Sequence, residues 1–143
     1  MKILVDTSII VEIDRGNKEV TNLLKKILEN HELIISTITV GEILTGSHLN
    51  KNQNEAIIKA KEILNQFTWH NINGVTAEIT AKLYSYLIIE NKHKSVEYQD
   101  VLIAASFLAS NSDYLLTLNI KDFKVFPNIT NSVVTLKELN NKI

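Results

Sequence analysis

Four polar side chains stand close to points where a strand-like apolar run gives way to a helix-like segment. In chain order they are Asp6, Glu42, Asp100 and Asn119. The carboxyl ends of parallel strands share one edge of an α/β sheet, and ligand sites form at that edge. Although 36, 58 and 19 positions separate these residues along the chain, we expect their side chains to meet in space.

Three carboxylates and an amide at one place would form a site for a hard divalent cation. Mg²⁺ prefers oxygen ligands, keeps several of its waters and needs only one or two carboxylates from the protein. Clustered carboxylates repel one another, and a divalent cation relieves that repulsion. A bound cation also lowers the pKa of a water molecule and neutralises charge on a scissile phosphate. The pattern therefore predicts metal-assisted phosphodiester hydrolysis.

Composition narrows the class of protein. A chain of 143 residues, 45% apolar and 22% charged, with one Pro and four Gly, predicts one globular domain over residues 1–143. The formal net charge of −1 means that a nucleic acid would need a local basic patch. The absence of Cys excludes disulfides, thiolate zinc sites and a Cys nucleophile, and it fits the cytoplasm. We expect no membrane association, because no apolar stretch approaches the roughly 20 residues of a membrane-spanning helix.

Strand-like and helix-like segments alternate along the chain, which predicts an α/β sandwich built on a parallel sheet. Strands are predicted at 2–5, 33–36, 69–72 and 114–117. Helices are predicted at 8–14, 20–28, 39–48, 52–67, 76–91 and from the polar break at 92–95 through Ala109, and the tail carries a short last helix. Phe67, Trp69 and Phe107 are predicted to lie in the core.

Four segments resemble the motifs of PIN-domain ribonucleases, in order and at matching spacing. They are LVDTSII at 4–10, STITVGEI at 36–43, DVLIAA at 100–105 and TLNIKDF at 117–123. The resemblance covers essentially the whole chain, whose length is similar to that of VapC-type toxins from toxin–antitoxin pairs. It implies a PIN-like three-layer α/β/α sandwich with a central, mostly parallel sheet.

The resemblance also implies roles for individual residues. Asp6, Glu42, Asp100 and Asn119 are the expected catalytic residues. Asp6 and Asp100 are the expected principal ligands of Mg²⁺ or Mn²⁺, and Glu42 is either a further ligand or an anchor for the ligands. Thr7, Ser8 and Thr117 are expected to orient these groups.

Asn119 departs from the family pattern, because many members carry Asp at this position. An amide brings no charge and holds a second cation less strongly. Asp122, three residues later, compensates if the local turn points its side chain inward. The sequence therefore leaves open whether one or two cations take part.

Each acidic residue also has a purely structural interpretation. Asp6 fits a helix N-cap, and Asp100 fits an acid in the first turn of a helix, where the helix dipole favours it. Glu42 and Asp122 fit ordinary solvated surface positions. The coincidence of four motifs favours the functional interpretation.

Four basic side chains are the expected contacts to an RNA backbone. They are Arg15, Lys92, Lys94 and Lys121. A surface salt bridge at Arg15 and plain solvation of the lysines are the alternatives.

Three functions fit these observations. The preferred one is a Mg²⁺- or Mn²⁺-dependent endoribonuclease that acts as a toxin. For this function the resemblance implies a homodimer and a small antitoxin. The antitoxin is expected to insert a segment between helices 8–14, 39–48 and 52–67. The second is a PIN-fold nuclease that processes RNA without an antitoxin. The third is a weakly active module that binds RNA or protein, which the amide of Asn119 would favour.

Overall fold

The sheet has five strands, and the structure, a computed structural model, describes all residues from 1 to 143. The strands are β1 (Lys2–Val5), β2 (Glu32–Ser36), β3 (Thr68–His70), β4 (Tyr114–Leu116) and β5 (Val133–Val134). The helices are α1 (Thr7–Asp14), α2 (Lys18–Leu28), α3 (Thr37–His48), α4 (Gln53–Leu64), α5 (Gly74–Ile89), α6 (Tyr98–Ala109), α7 (Ile120–Lys124) and α8 (Leu136–Lys142). Short 3₁₀ turns occupy His93–Ser95 and Thr130–Ser132.

All strand pairs are parallel, in the spatial order β3-β2-β1-β4-β5. Leu4 in the central strand is in register with Ile34 of β2 on one side and Leu115 of β4 on the other. The order reverses between β1 and β4, and this reversal opens a crevice at the carboxyl ends of the two strands. Asp6 directly follows β1, and Thr117 directly follows β4.

Helices cover both faces of the sheet, so the predicted α/β/α sandwich is confirmed. Ile3 and Val5 point into a core shared with α1, α2 and α4, whereas Leu4 points into a second core shared with α5 and α6. This division follows from the alternation of side chains along a strand. Both faces of β1 are buried, which explains why the run is apolar throughout.

The predicted elements lie at the observed places, and their ends differ by a few residues. One core assignment is wrong: Trp69 is 44% exposed, whereas Phe67 and Phe107 are buried as expected. Trp69 lies on β3, a three-residue edge strand that pairs only with β2. Its indole nitrogen donates a hydrogen bond to the backbone oxygen of Leu64 at 3.0 Å. None of the helices combines the length and the apolar character that a membrane span requires.

Candidate active site

Asp6 is held at the junction of β1 and α1, where it caps the helix and is only 3% exposed. Its Oδ2 accepts hydrogen bonds from the hydroxyls of Ser8 at 2.6 Å and Thr117 at 2.8 Å, and from the Ser8 backbone N–H at 3.4 Å. Its Oδ1 accepts none. Capping and site formation therefore coincide in one residue, and one carboxylate oxygen is left free for a ligand.

The two hydroxyl groups beside Asp6 also tie the β4–α7 segment to α1. The Ser8 hydroxyl oxygen accepts the backbone N–H of Leu118 at 3.1 Å. The Thr117 hydroxyl oxygen accepts the backbone N–H of Asn119 at 2.9 Å. These bonds set the position of the Asn119 backbone relative to the Asp6 carboxylate.

Glu42 is oriented by a chain of hydroxyl groups. Thr7 Oγ1 donates to Glu42 Oε1 at 2.9 Å, and Thr7 Oγ1 also lies 2.9 Å from Thr39 Oγ1. Because Thr7 has a single hydroxyl hydrogen and donates it to Glu42, the Thr39 hydroxyl must donate to Thr7. Thr39 is fully buried and lies one helical turn before Glu42 on α3, and it was not among the residues predicted for the site.

One cleft of about 410 Å³ brings the predicted catalytic residues together. We call it the acidic cleft. It is lined by Asp6, Thr7, Ser8, Val11, Glu42, Ser95, Glu97, Asp100, Asn119 and Asp122. Asp122 therefore does point inward, as compensation for Asn119 would require. The lining holds five carboxylates and no Lys, Arg or His.

Three members of this lining were not predicted from the sequence: the apolar Val11 and the polar Ser95 and Glu97. Glu97 immediately precedes α6, one helical turn before Asp100. Residues three apart at a helix start share one side, and this spacing could have indicated Glu97. No family motif covers it.

The carboxylates raise one another's proton affinity. Burial raises the pKa of Asp100 to about 7, and the charges of Asp6, Asp122, Glu97 and Glu42 add to the shift. Burial also raises the pKa of Glu42, with smaller contributions from Asp6 and Glu97, while the hydrogen bond from Thr7 opposes the shift. The acidic cleft therefore concentrates negative charge, with no basic side chain in its lining.

The donor set fits a hard divalent cation. No three acidic or histidine side chains converge tightly enough to form a ready-made metal site. Mg²⁺ is usually held by one or two carboxylates and keeps several waters, a requirement that Asp6 and Asp100 satisfy. The crowding of five carboxylates supplies the electrostatic demand for a cation.

The four basic residues predicted to contact RNA do not line the acidic cleft. Arg15 Nη1 lies 3.3 Å from Glu12 Oε1, and the Arg15 side chain remains 72% exposed. This contact is the surface salt bridge named above as the alternative to an RNA contact. Lys92, Lys94 and Lys121 are exposed, and Lys92 Nζ lies 5.8 Å from the centre of the Tyr86 ring.

Comparison with known proteins points to one family. Residues 3–128 match the model of the PIN domain. A ribonuclease VapC from Rickettsia bellii is 31% identical, over 96% of this chain and the full length of the relative. The structure of VapBC2 from Rickettsia felis bound to a DNA fragment from its promoter superimposes with a TM-score of 0.84 at 24% identity, covering 94% of this chain and 98% of that one. FitAcB from Neisseria gonorrhoeae matches with a TM-score of 0.70 at 27% identity, covering 93% and 95%.

Proposed function

The chain belongs to the PIN-domain family, and from this premise we propose that it is a Mg²⁺- or Mn²⁺-dependent endoribonuclease, the toxin of a VapBC-type pair. The observation that carries the proposal is the acidic cleft. Five carboxylates with no basic neighbour lie at the crevice between β1 and β4, where α/β proteins bind ligands. The relative from Rickettsia bellii, which matches over its whole length, is a ribonuclease.

Asp6 and Asp100 would hold the cation. Asp6 would offer Oδ1, because its Oδ2 is fixed by Ser8 and Thr117. Asp100 would bind in its ionised form, which a nearby cation favours although burial raises the pKa of this carboxyl group. Glu42 is held in place by Thr7 as a further ligand or anchor. A bound divalent cation supplies charge neutralisation at the scissile phosphate and lowers the pKa of the attacking water.

A protein partner is part of the proposal. A similar structure from Klebsiella pneumoniae, with a TM-score of 0.71 at 25% identity, is a toxin–antitoxin complex. We infer that this chain likewise pairs with a small antitoxin, and that it forms a homodimer. A groove of about 300 Å³ between α1, α2 and α4 offers an apolar wall for a partner segment. Its apolar lining residues are Ile13, Leu24, Leu28, Ile63 and Phe67. The three helices expected from the sequence, α1, α3 and α4, surround a different and smaller pocket. We also propose that the activity is cytoplasmic, which the absence of Cys fits.

Cleavage of a panel of labelled single-stranded RNAs tests the proposal. The purified, partner-free chain is compared with Asp100→Asn in Mg²⁺, Mn²⁺ or EDTA, and circular dichroism verifies that both proteins are folded. We expect cutting by the wild type in Mg²⁺ or Mn²⁺, and none in EDTA or with Asp100→Asn. Cutting that persists in EDTA, or equal cutting by both proteins, would contradict a metal-dependent site at Asp100.

Asn119 favours a second candidate, a PIN module that binds RNA or protein and cleaves poorly. Calorimetric titration with Mn²⁺ separates the two. Tight binding that is lost in Asp100→Asn supports the nuclease, whereas folded protein without a carboxylate-dependent Mn²⁺ site supports the binding module. A nuclease that processes RNA without an antitoxin would cleave RNA in the same assay, yet would not be toxic when expressed alone.

A further inference from the structure

A second, smaller pocket opens directly beside the acidic cleft. This flanking pocket of about 220 Å³ lies between α1, α3 and α4, and it shares Val11 and Glu42 with the acidic cleft. Gly46 forms part of its wall, one helical turn after Glu42 and therefore about 6 Å farther along the axis of α3. The two cavities therefore adjoin at Val11 and Glu42.

The surface of the flanking pocket combines apolar contact area with one free amide. Val11, Ile43 and Ala56 supply the apolar part. Asn50 Oδ1 accepts a hydrogen bond from the backbone N–H of Asn52 at 2.9 Å, so the NH₂ group of Asn50 is the free polar group of that side chain. Stacking or apolar contact combined with a few hydrogen bonds to base edges is how proteins read single-stranded RNA.

Charge favours a neutral occupant. Asp14 Oδ1 lies 3.7 Å from Lys59 Nζ, and Arg15 is paired with Glu12. Apart from Glu42, which also faces the acidic cleft, the charges around the flanking pocket are therefore already compensated. A cationic side chain of a protein partner would find Asp14 already paired, whereas an uncharged base requires no counter-ion.

We propose that the flanking pocket holds the base of the nucleotide next to the scissile phosphate and thereby sets a sequence preference at that position. This inference rests on the proposed endoribonuclease function and names the substrate class of that site, a single-stranded RNA. The cation in the acidic cleft would then act one helical turn away from the position that reads the base.

Gly46→Leu tests the proposal by filling the flanking pocket. A Cβ atom at Gly46 would meet no atom within 4 Å, so the backbone accepts a side chain there. Gly41→Leu is the matched control, because Gly41 lies on the same helix, has the same open space and lines neither cavity. Both changes replace a helical Gly, so both variants should fold at least as stably as the wild type.

The measurement is sequencing of the ends produced from a random-sequence RNA pool. We expect the wild type to show a base preference at one position beside the cut. Gly46→Leu should abolish or change it there and slow cleavage of the preferred sequence by roughly tenfold or more, while Gly41→Leu changes neither. Wild-type cleavage without a preference beside the cut, or the same preference and rate in Gly46→Leu, would overturn the proposal and leave the proposed function intact.

RNA binding measured without cleavage provides an independent test of the flanking pocket. Fluorescence anisotropy with labelled RNA octamers in EDTA compares Asp100→Asn with Asp100→Asn/Gly46→Leu. Weaker binding by the double variant supports the pocket even if the wild type fails to cleave, in which case the proposed function alone is lost. Equal binding of RNA by both variants would overturn the proposal. If a protein partner that inhibits the wild type also failed to inhibit Gly46→Leu, the pocket would be assigned to that partner.

Discussion

The hydroxyl of Thr117 donates a 2.8 Å hydrogen bond to Oδ2 of Asp6, although the two residues are 111 positions apart. The contact exists because β1 and β4 are parallel neighbours and each residue directly follows its strand. The Asp6 backbone N–H also bonds the Leu116 oxygen at 2.9 Å, which closes the same junction. The orientation of the principal carboxylate therefore depends on the pairing of two strands that are distant in the chain.

Thr117→Val should weaken cation binding while preserving shape. The variant loses the donor to Asp6 and leaves the Asn119 N–H without its acceptor, so we expect a stability cost of about 1–3 kcal/mol. Loss of a group that orients a ligand typically lowers metal affinity by about 10–100-fold. Calorimetry with Mn²⁺ and thermal unfolding measure both. Thr117→Ser keeps the hydroxyl and should therefore keep the wild-type affinity for Mn²⁺. If Thr117→Ser bound Mn²⁺ as weakly as Thr117→Val, the hydroxyl would have no orienting role.

The chain from Thr39 through Thr7 to Glu42 predicts a graded effect. Thr7→Val removes the direct donor to Glu42, and we expect a loss of Mn²⁺ affinity of about tenfold. Thr39→Val acts only through Thr7 and should cost less, about threefold. In a Glu42→Ala background neither change should matter further, because residues of one network couple. Additive losses in that background would show that the threonines act independently of Glu42.

Asp100 should destabilise the metal-free fold at neutral and alkaline pH. Its pKa of about 7 in the folded protein lies above the ordinary value of 3.8, so between these values the folded state binds more protons than the unfolded state. The free energy of unfolding contributed by this group therefore falls as the pH rises from about 4 through 7. Asp100→Asn removes this loss, and its advantage over the wild type should grow across that range and level off above pH 7.

Differential scanning fluorimetry in EDTA from pH 4 to 8.5 measures this advantage. Because Asp100 is only partly buried, we discount the shift for solvent screening and expect about 1 kcal/mol at pH 8, or roughly 3 °C in Tm. Glu29→Gln, which neutralises an exposed acid outside the acidic cleft, is the control. A difference between Asp100→Asn and the wild type that does not vary with pH would contradict the raised pKa.

Asn119→Asp should trade stability for cation affinity. The new carboxylate joins five others in the acidic cleft, so we expect a lower Tm in EDTA. The same charge attracts a cation, and Mn²⁺ affinity or stoichiometry should rise, with affinity increasing at least about tenfold. Thermal unfolding with and without Mn²⁺, together with calorimetry, tests both effects. Asn54→Asp, on an exposed position of α4, should leave Mn²⁺ binding unchanged. Unchanged binding in Asn119→Asp would place residue 119 outside the cation site.

Local patterns explain why most of the fold was predictable. Apolar periodicity along the chain is set by each element's own geometry, so the order of strands and helices follows from it. The spatial order of strands and the exposure of Trp69 do not, because both depend on which strands become neighbours. The two-residue strand β5 and the five-residue helix α7 are too short to show a period.

The sequence by itself determined the chemical types at the site and their positions beside strand ends. Only the tertiary structure decided that Asp6 keeps one oxygen free, that Glu97 joins the acidic cleft, that the predicted basic residues lie outside it and that a flanking pocket adjoins it. The reason is physical. Residue types and periodicity are local properties of the chain, whereas hydrogen bonds, desolvation and charge repulsion act between groups that only folding brings together.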